Sequence, residues 1–350
     1  MIGTIHPHSV DEALRQCLQM LWNEGKSHTA ASAANQRPTL EWPGVFITEY
    51  QSPMRNVLFN PVRDANPFFH YLEAMWILAG RNDVGFLAEL LPNMANYSDN
   101  GNGFHGAYGH RLRCWDYEGF DQIADALMLL KEKPSTRQVV MSIWNPKRDL
   151  GSMSKDIPCN DLLMFKVREG KLHITVNNRS NDAIWGAYGA NAVQFSMLLG
   201  YMAAKLGLEV GTYTQVSNSM HVYLDTPYWI DFTEGNAQAL VYEGYDLELA
   251  QPNLFEKGIE HFDKDLDKFF MRYDAGELTY NVRYQSQAMI DASRIHGSYL
   301  AYKAGNMVLA MDFAGAVLAP DWGRACVEWL ERRIEARNAK KAAGGDSAES

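Results

Sequence analysis

The sequence predicts a mixed α/β domain built around a largely buried sheet. Segments with apolar residues at helical spacing are interleaved with β-rich runs, without the regular strand–helix rhythm of a doubly wound parallel fold. "DLLMFKVREGKLHITVNNRS" (161–180) reads as an antiparallel hairpin turning at Glu169-Gly170, with period-two alternation in its second arm. Two helix candidates, residues 65–80 and 191–208, are apolar almost throughout.

Taken in order, "VDEALRQCLQMLWNEG" (10–25) has helical periodicity and forms an N-terminal helix. "ANPFFHYLEAMWILAG" (65–80) has Asn66 as N-cap, Pro67 at the first helical position and Gly80 as a stop; only His70 and Glu73 interrupt its apolar interior. "FDQIADALMLLKEKP" (120–134) is an amphipathic helix ended by proline, and "RQVVMSIW" (137–144) is a strand. After the hairpin, "NAVQFSMLLGYMAAKLGL" (191–208) is a helix stopped near Gly207, and "EVGTYTQVSNSMHVY" (209–223) returns to strand character. No internal repeat or low-complexity linker divides the chain, so residues 1–337 read as one domain. The small polar tail from Asn338 to Ser350 is expected to be disordered.

Composition narrows the function. The chain is 47% hydrophobic and 21% charged and has no apolar run long enough to span a bilayer. Its first ten residues, "MIGTIHPHSV", lack the basic and apolar regions of a signal peptide, so a cytoplasmic protein is expected. The cysteines, Cys17, Cys114, Cys159 and Cys326, stand far apart with no CxxC pair, which argues against a zinc site or a disulfide framework. No metal is expected. A formal charge of −10 argues against general nucleic-acid binding, but a local arginine cluster can still hold a phosphorylated small molecule.

Cys159, in "DIPCNDLL" (156–163), is either a packed apolar thiol or a nucleophile; a nucleophile needs cations nearby, and Arg137 and Arg179 flank it in sequence. Glu73 either occupies an exposed stripe of its helix or is a buried acid whose pKa rises with desolvation, as proton transfer near neutrality requires. In "NRSND" (178–182), Arg179 and Ser180 combine a charged fork with a hydroxyl, which suits a phosphate, although a polar turn has the same composition. "GAYGAN" (186–191) brings a glycine-rich approach from Gly186 to Asn191, an amide that either caps the next helix or reads a base edge. His221 and Tyr223 in "HVY" share a strand face and can reach a sugar hydroxyl or pair with each other.

In this order the segments resemble the thymidylate synthase family, including its pyrimidine-nucleotide hydroxymethylase branch. "EAMWIL" (73–78) is similar to the family's glutamate helix, and "AYGHRLRCW" (107–115) to its Y-G segment. "DQIADALMLLKEKPSTRQVVMSIWNP" (121–146) resembles its D-Q-I helix and S-R-R strand, "PCN" (158–160) its P-C-H nucleophile, "RSNDAIWGAYGAN" (179–191) its R-S-x-D segment, and "HVY" its H-x-Y. The resemblance covers residues 60–225. It implies a thymidylate-synthase-like fold, a mixed sheet flanked by helices, and a homodimer whose sheets pack back to back and whose active sites are shared. It also implies roles. Cys159 adds to C6 of the pyrimidine, and the enolate formed at C5 attacks the methylene of 5,10-methylenetetrahydrofolate, the cosubstrate. Arg179 and Ser180 bind the nucleotide phosphate, with Arg137 reaching across from a second subunit. Asn191 reads the base, and His221 and Tyr223 meet the sugar. Asp182, Gly186 and Met94 line the folate site. Glu73 organises proton transfer through water, and Tyr108 supports proton removal from C5.

The departures bear on the product. The family's histidine after the nucleophile is Asn160 here, and the second arginine of S-R-R is Gln138. "GAYGAN" is one residue longer than the usual loop. Where the synthases carry tryptophans against folate, residues 91–109 have Met94 and Tyr97 and no tryptophan, and the chain runs on through "WLERRIEARNAKKAAGGDSAES" in place of a short apolar tail. The expectation is therefore hydroxymethylation of dUMP. The alternatives are a thymidylate synthase making dTMP, an enzyme acting on dCMP or CMP, and a non-catalytic nucleotide binder.

Overall fold

The computed structural model describes residues 1–31, 36–116, 119–235, 244–245 and 253–345. Ten strands are found among them, in two sheets. β1 (Ile2–Ile5), β4 (Val45–Tyr50), β5 (Val139–Ser142), β6 (Asn160–Arg168), β7 (Lys171–Asn178) and β9 (Glu209–Ser217) form a six-stranded mixed sheet in the order β1-β4-β9-β7-β6-β5. β2 (Lys26–Ala31), β3 (Gln36–Glu41), β8 (Asn181–Asp182) and β10 (Met220–Tyr223) form a smaller sheet, ordered β2-β3-β10-β8.

Local chemistry explains the elements that position the site. β6 and β7 form the expected hairpin, and its turn takes left-handed backbone at both central residues, φ 52° at Glu169 and 74° at Gly170. That is the hand matching strand twist. Helix α1 (Val10–Glu24) starts at Ser9, whose side chain accepts from the Glu12 amide. α2 (Pro67–Leu78) starts where expected, with the Asn66 side chain accepting from the Phe69 amide and Pro67 in the first turn. α3 (Val84–Leu90) and α4 (Tyr108–Arg113) follow, then α5 (Gln122–Glu132), the short α6 (Pro146–Asp149) and α7 (Ala192–Leu206). A π-helical turn over Ala183–Asn191 leads into α7, which ends at left-handed Gly207 (φ 65°).

All twelve residues of α2 are buried, Glu73 included. Helices from the part of the chain beyond the motif-level resemblance explain why. After α8 (Pro227–Thr233) come Ile259–Asp274, Gln287–Lys303, Met307–Gly315 and Pro320–Gly345. The Tyr71 hydroxyl donates to the Ala288 carbonyl at 2.8 Å, and the Tyr71 and Phe68 rings meet Trp322 and Trp329 edge to face at 5.0 and 5.4 Å. Arg333 forks onto the Asp64 carboxylate at 2.6 and 2.7 Å, just ahead of α2. The C-terminal helices thus cover the outer side of α2, while α7 lies against another. The last helix continues past Asn338, where composition predicts a disordered tail; residues 346–350 lie outside the described residues.

On the six-stranded sheet, Leu163, Phe165, Ile174 and Val176 face the core. The opposite face carries exposed apolar side chains near the β5 edge, at Val140, Leu162 and Met164. No helix among the described residues is long and apolar enough to cross a membrane.

Candidate active site

Cys159 sits between Pro158 and the first residue of β6, at the end of the strand farthest from the hairpin turn. Pairing of β6 with β7 brings Arg179, just past the end of β7, onto it. The Arg179 amide donates to the Cys159 carbonyl at 2.9 Å. Its Nε donates to the Pro158 carbonyl at 2.7 Å and its Nη2 to the Ile157 carbonyl at 2.9 Å, and Nη2 lies 3.7 Å from the Cys159 Sγ. The half-buried thiol is therefore beside a cation, as the nucleophile reading requires. Its pKa is nevertheless raised: burial dominates, and Asp156, Asp161 and Asp182 oppose the Arg179 charge. The resting group is a thiol. Close packing at this loop requires Gly106, where a Cβ would stand 2.6 Å from the Asp156 carbonyl and 3.1 Å from the Pro158 ring.

Tyr108, at the start of α4, places its hydroxyl against the Cys159 backbone, and burial with Cys159, Asp156 and Glu73 nearby pushes its pKa well up. Glu73 is not on an exposed stripe. Burial holds its carboxyl up to about 7, with a hydrogen bond from Gln194 of α7 pulling the other way. Tyr108 thus lies near both the thiol and the acid, and the acid is poised to exchange a proton near neutrality.

The segments carrying Arg179 and His221 come together through the smaller sheet. β8 pairs parallel with β10, setting Asp182 opposite His221. Burial raises the Asp182 pKa, while His221, the Ile184 amide and Arg63 oppose it. His221 and Tyr223 share a face, with ring centroids 5.3 Å apart, edge to face. Asn191 does not cap α7 with its side chain. It is buried and its Nδ2 donates to Asn181 Oδ1 at 3.3 Å, which leaves its carbonyl oxygen for another partner. A Cβ at Gly186 would stand 3.0 Å from that Asn181 oxygen, so glycine keeps the pair accessible. Asn160, in place of the family's histidine, is buried and bonded to Asn178.

Two further expected site residues make none of these contacts among the described residues, although Tyr97, in the same turn as Met94, lies near Tyr223. Arg137 is exposed ahead of β5 and makes no hydrogen bond or ion pair among the described residues. Met94 lies in a 3-10 turn, Pro92–Tyr97, half-buried against the edge of the core, with Tyr97 exposed beside it. Other residues enter the site without having been singled out in the sequence. Arg37 stacks on Tyr223 at 4.1 Å and forks onto Asp225, because β3 pairs with β10. Trp185, 53% exposed, carries the buried Arg63 guanidinium 3.9 Å from its ring. Gln194 and Asp161 are the others, the latter held up to about 6 by burial against the pull of Arg179. The isolated tryptophan in "DAIWG" and the closeness of Asp161 to Cys159 in sequence are local signals; Arg37 and Gln194 depend on pairings far apart in sequence. No cluster that could hold a metal ion is found among the described residues.

Residues 64–264 match the family model for thymidylate synthase. The chain belongs to the thymidylate synthase family. It is 37% identical to a deoxyuridylate hydroxymethyltransferase of Pseudomonas phage M6, over 98% of this chain and 97% of that relative. It is 48% identical to a deoxyuridylate hydroxymethyltransferase of Bacillus phage SP01, over 51% of this chain and 49% of the relative. A thymidylate synthase of Symbiobacterium thermophilum is 35% identical over 45% of this chain and 59% of its own length. The likeness therefore extends beyond residue 225, where the motif-level resemblance stops, and with the first of these relatives it takes in the C-terminal helices.

In this family member, Arg179→Ala is expected to weaken nucleotide binding by about 1.5–3 kcal/mol, the range for a lost charge-assisted hydrogen bond. Titration calorimetry with dUMP checks this, and an unchanged affinity would take the phosphate away from Arg179.

Proposed function

We propose that this chain transfers a one-carbon unit from 5,10-methylenetetrahydrofolate to C5 of dUMP and releases 5-hydroxymethyl-dUMP. The observation that carries the reading is Cys159 set between the Arg179 guanidinium and the Tyr108 hydroxyl, with buried Glu73 behind them, in a chain alike over nearly its whole length to a phage deoxyuridylate hydroxymethyltransferase. A non-catalytic binder has no use for a costly buried acid near the Tyr108 phenol.

In this reading Arg179 and Ser180 hold the phosphate, His221 and Tyr223 the sugar, and Asn191 the base edge. Phosphate binding at Arg179 sets C6 of the base over Cys159. Addition of the Cys159 sulfur to C6 makes C5 nucleophilic, and Tyr108 with Glu73 handles the C5 proton. The residues present fit a folate: Asp182 is a half-buried carboxyl suited to a pterin edge, Gly186 has no side chain to block it, and Trp185 in the same turn offers an exposed ring. Methylenetetrahydrofolate supplies the carbon. The reading places the reaction in the cytoplasm of a bacterium, or of the host of a phage.

A homodimer completes the site in this reading. The exposed apolar residues Val140, Leu162 and Met164 give the sheet a face to bury. Arg137, unpartnered among the described residues, lies at the same edge and can reach a neighbouring phosphate. If so, inactive Arg137→Ala and Cys159→Ala chains recover activity when mixed, because one site in the heterodimer is intact. Confirmed heterodimers with no activity would refute sharing.

Offering dUMP, dCMP and CMP in parallel and weighing the products tests the substrate. Hydroxymethylated dUMP is expected. Asn191→Asp is expected to shift preference toward cytosine nucleotides, since a protonated carboxyl donates to cytosine N3 and accepts from its amino group. Unchanged preference with retained binding would mean that another group reads the base.

A further inference from the structure

α7 carries a polar side chain three residues beyond Asn191. Gln194 is 6% exposed and Glu73 7%, and the two are hydrogen-bonded where α7 packs on α2. Each keeps a buried acceptor with no donor among the described residues, Gln194 Oε1 and Glu73 Oε2. A buried acceptor without a donor costs about 1–3 kcal/mol. Two on neighbouring side chains is an expensive way to pack helices, and a methionine at 194 would fill the space without that cost. The pair lies on the Tyr108 side of α2: Glu73 is near Tyr108, which in turn lies against the Cys159 backbone.

We propose that Gln194 is a positioning residue that, together with Glu73, holds the water molecule that becomes the hydroxyl group of the product. This rests on the hydroxymethyltransferase reading. A water molecule has two O–H donors. Giving one to Glu73 Oε2 and one to Gln194 Oε1 turns its lone pairs away from both, towards the nucleotide. The electrophile is the exocyclic methylene on C5 of the nucleotide while C6 is still bonded to Cys159. The water oxygen forms the new C–O bond with a lone pair, and the π pair of the exocyclic double bond moves into the ring as an enolate at O4. The released proton goes to the Glu73 carboxylate. Collapse of the enolate restores the C4 carbonyl, forms the C5–C6 double bond and expels the Cys159 sulfur as thiolate. Water is the only co-reactant, and nothing is oxidised or reduced.

Gln194→Met removes the acceptor at nearly constant volume. The wild-type product is identified first: a methylated nucleotide there defeats the hydroxymethyltransferase reading itself, before any variant is made. With hydroxymethyl product in hand, the variant is expected to form the covalent complex with 5-fluoro-dUMP and methylenetetrahydrofolate as wild type does, since that complex precedes the water step. Its hydroxymethyl turnover is expected to fall by about 100-fold. Added 2-mercaptoethanol should then intercept the waiting methylene, so that the thioether becomes the main nucleotide product. A purely structural Gln194 would not redirect product in this way. Gln194→Ala repeats the measurement with a smaller side chain. Turnover within about threefold of wild type in either folded variant, or loss of the covalent complex in step with turnover, overturns the proposal. So does failure of both variants to fold, which would make Gln194 a structural residue.

Discussion

Cys159→Ser is expected to lower turnover by about a thousandfold or more while dUMP still binds. Sulfur is the stronger nucleophile at equal geometry, and a serine hydroxyl needs a dedicated base to approach it. Two of the three carboxylates around position 159, Asp156 and Asp182, are already held by backbone amides. Asp156 accepts from the Gly106 amide, and Asp182 accepts from the Ile184 amide. Arg179 favours a thiolate but cannot take a proton from a hydroxyl. The contacts proposed for the phosphate, sugar and base are untouched by the change, so calorimetry should find dUMP affinity near the wild-type value. Turnover of the serine variant within about tenfold of wild type would remove Cys159 from the chemistry.

Glu73→Gln is expected to separate activity from stability. Turnover should fall by about 100-fold or more, because the amide cannot take the proton released at C5 or from water. Stability should move the other way, and the sign follows from linkage. The carboxyl titrates near 4.5 when unfolded and at about 7 in the folded chain, its rise caused by burial. Below pH 4.5 both states are protonated and the group contributes nothing to the pH dependence. Between 4.5 and 7 the folded state holds a proton that the unfolded state has lost, so stability falls as pH rises. Above 7 both are ionised, and the cost levels off at about 3 kcal/mol. Glutamine escapes that cost. The variant should therefore match wild type near pH 4 and exceed it at pH 8 in denaturant unfolding. A variant less stable than wild type at pH 8 would mean that the ionised carboxylate is well satisfied in the fold.

The same helix shows which features are legible in the sequence. Asn66, Pro67 and Gly80 are local signals, and they place the ends of α2 within a residue or two. Glu169-Gly170 is equally local, and it sets the hairpin register that delivers Arg179 to Cys159. The full burial of α2 is not legible: Glu73 is covered by Gln194 of α7, and Tyr71 and Phe68 on another side by Trp322, Trp329 and Ala288, more than 200 positions away in helices with no motif. Arg37 reaches Tyr223 only through the pairing of β3 with β10. In the sequence Gln194 is one polar break in an apolar helix; its meaning comes from the acid across from it. Residues 338–345 are helical where disorder is expected.

The central claim is that water, and not hydride, completes the reaction. Turnover of dUMP with methylenetetrahydrofolate in water enriched in heavy oxygen, followed by mass analysis of the nucleotide and folate, tests it most directly. The expected product is 5-hydroxymethyl-dUMP carrying one solvent-derived oxygen in its exocyclic group, with tetrahydrofolate released in equal amount. An unlabelled methylated nucleotide, formed in step with dihydrofolate, would contradict it.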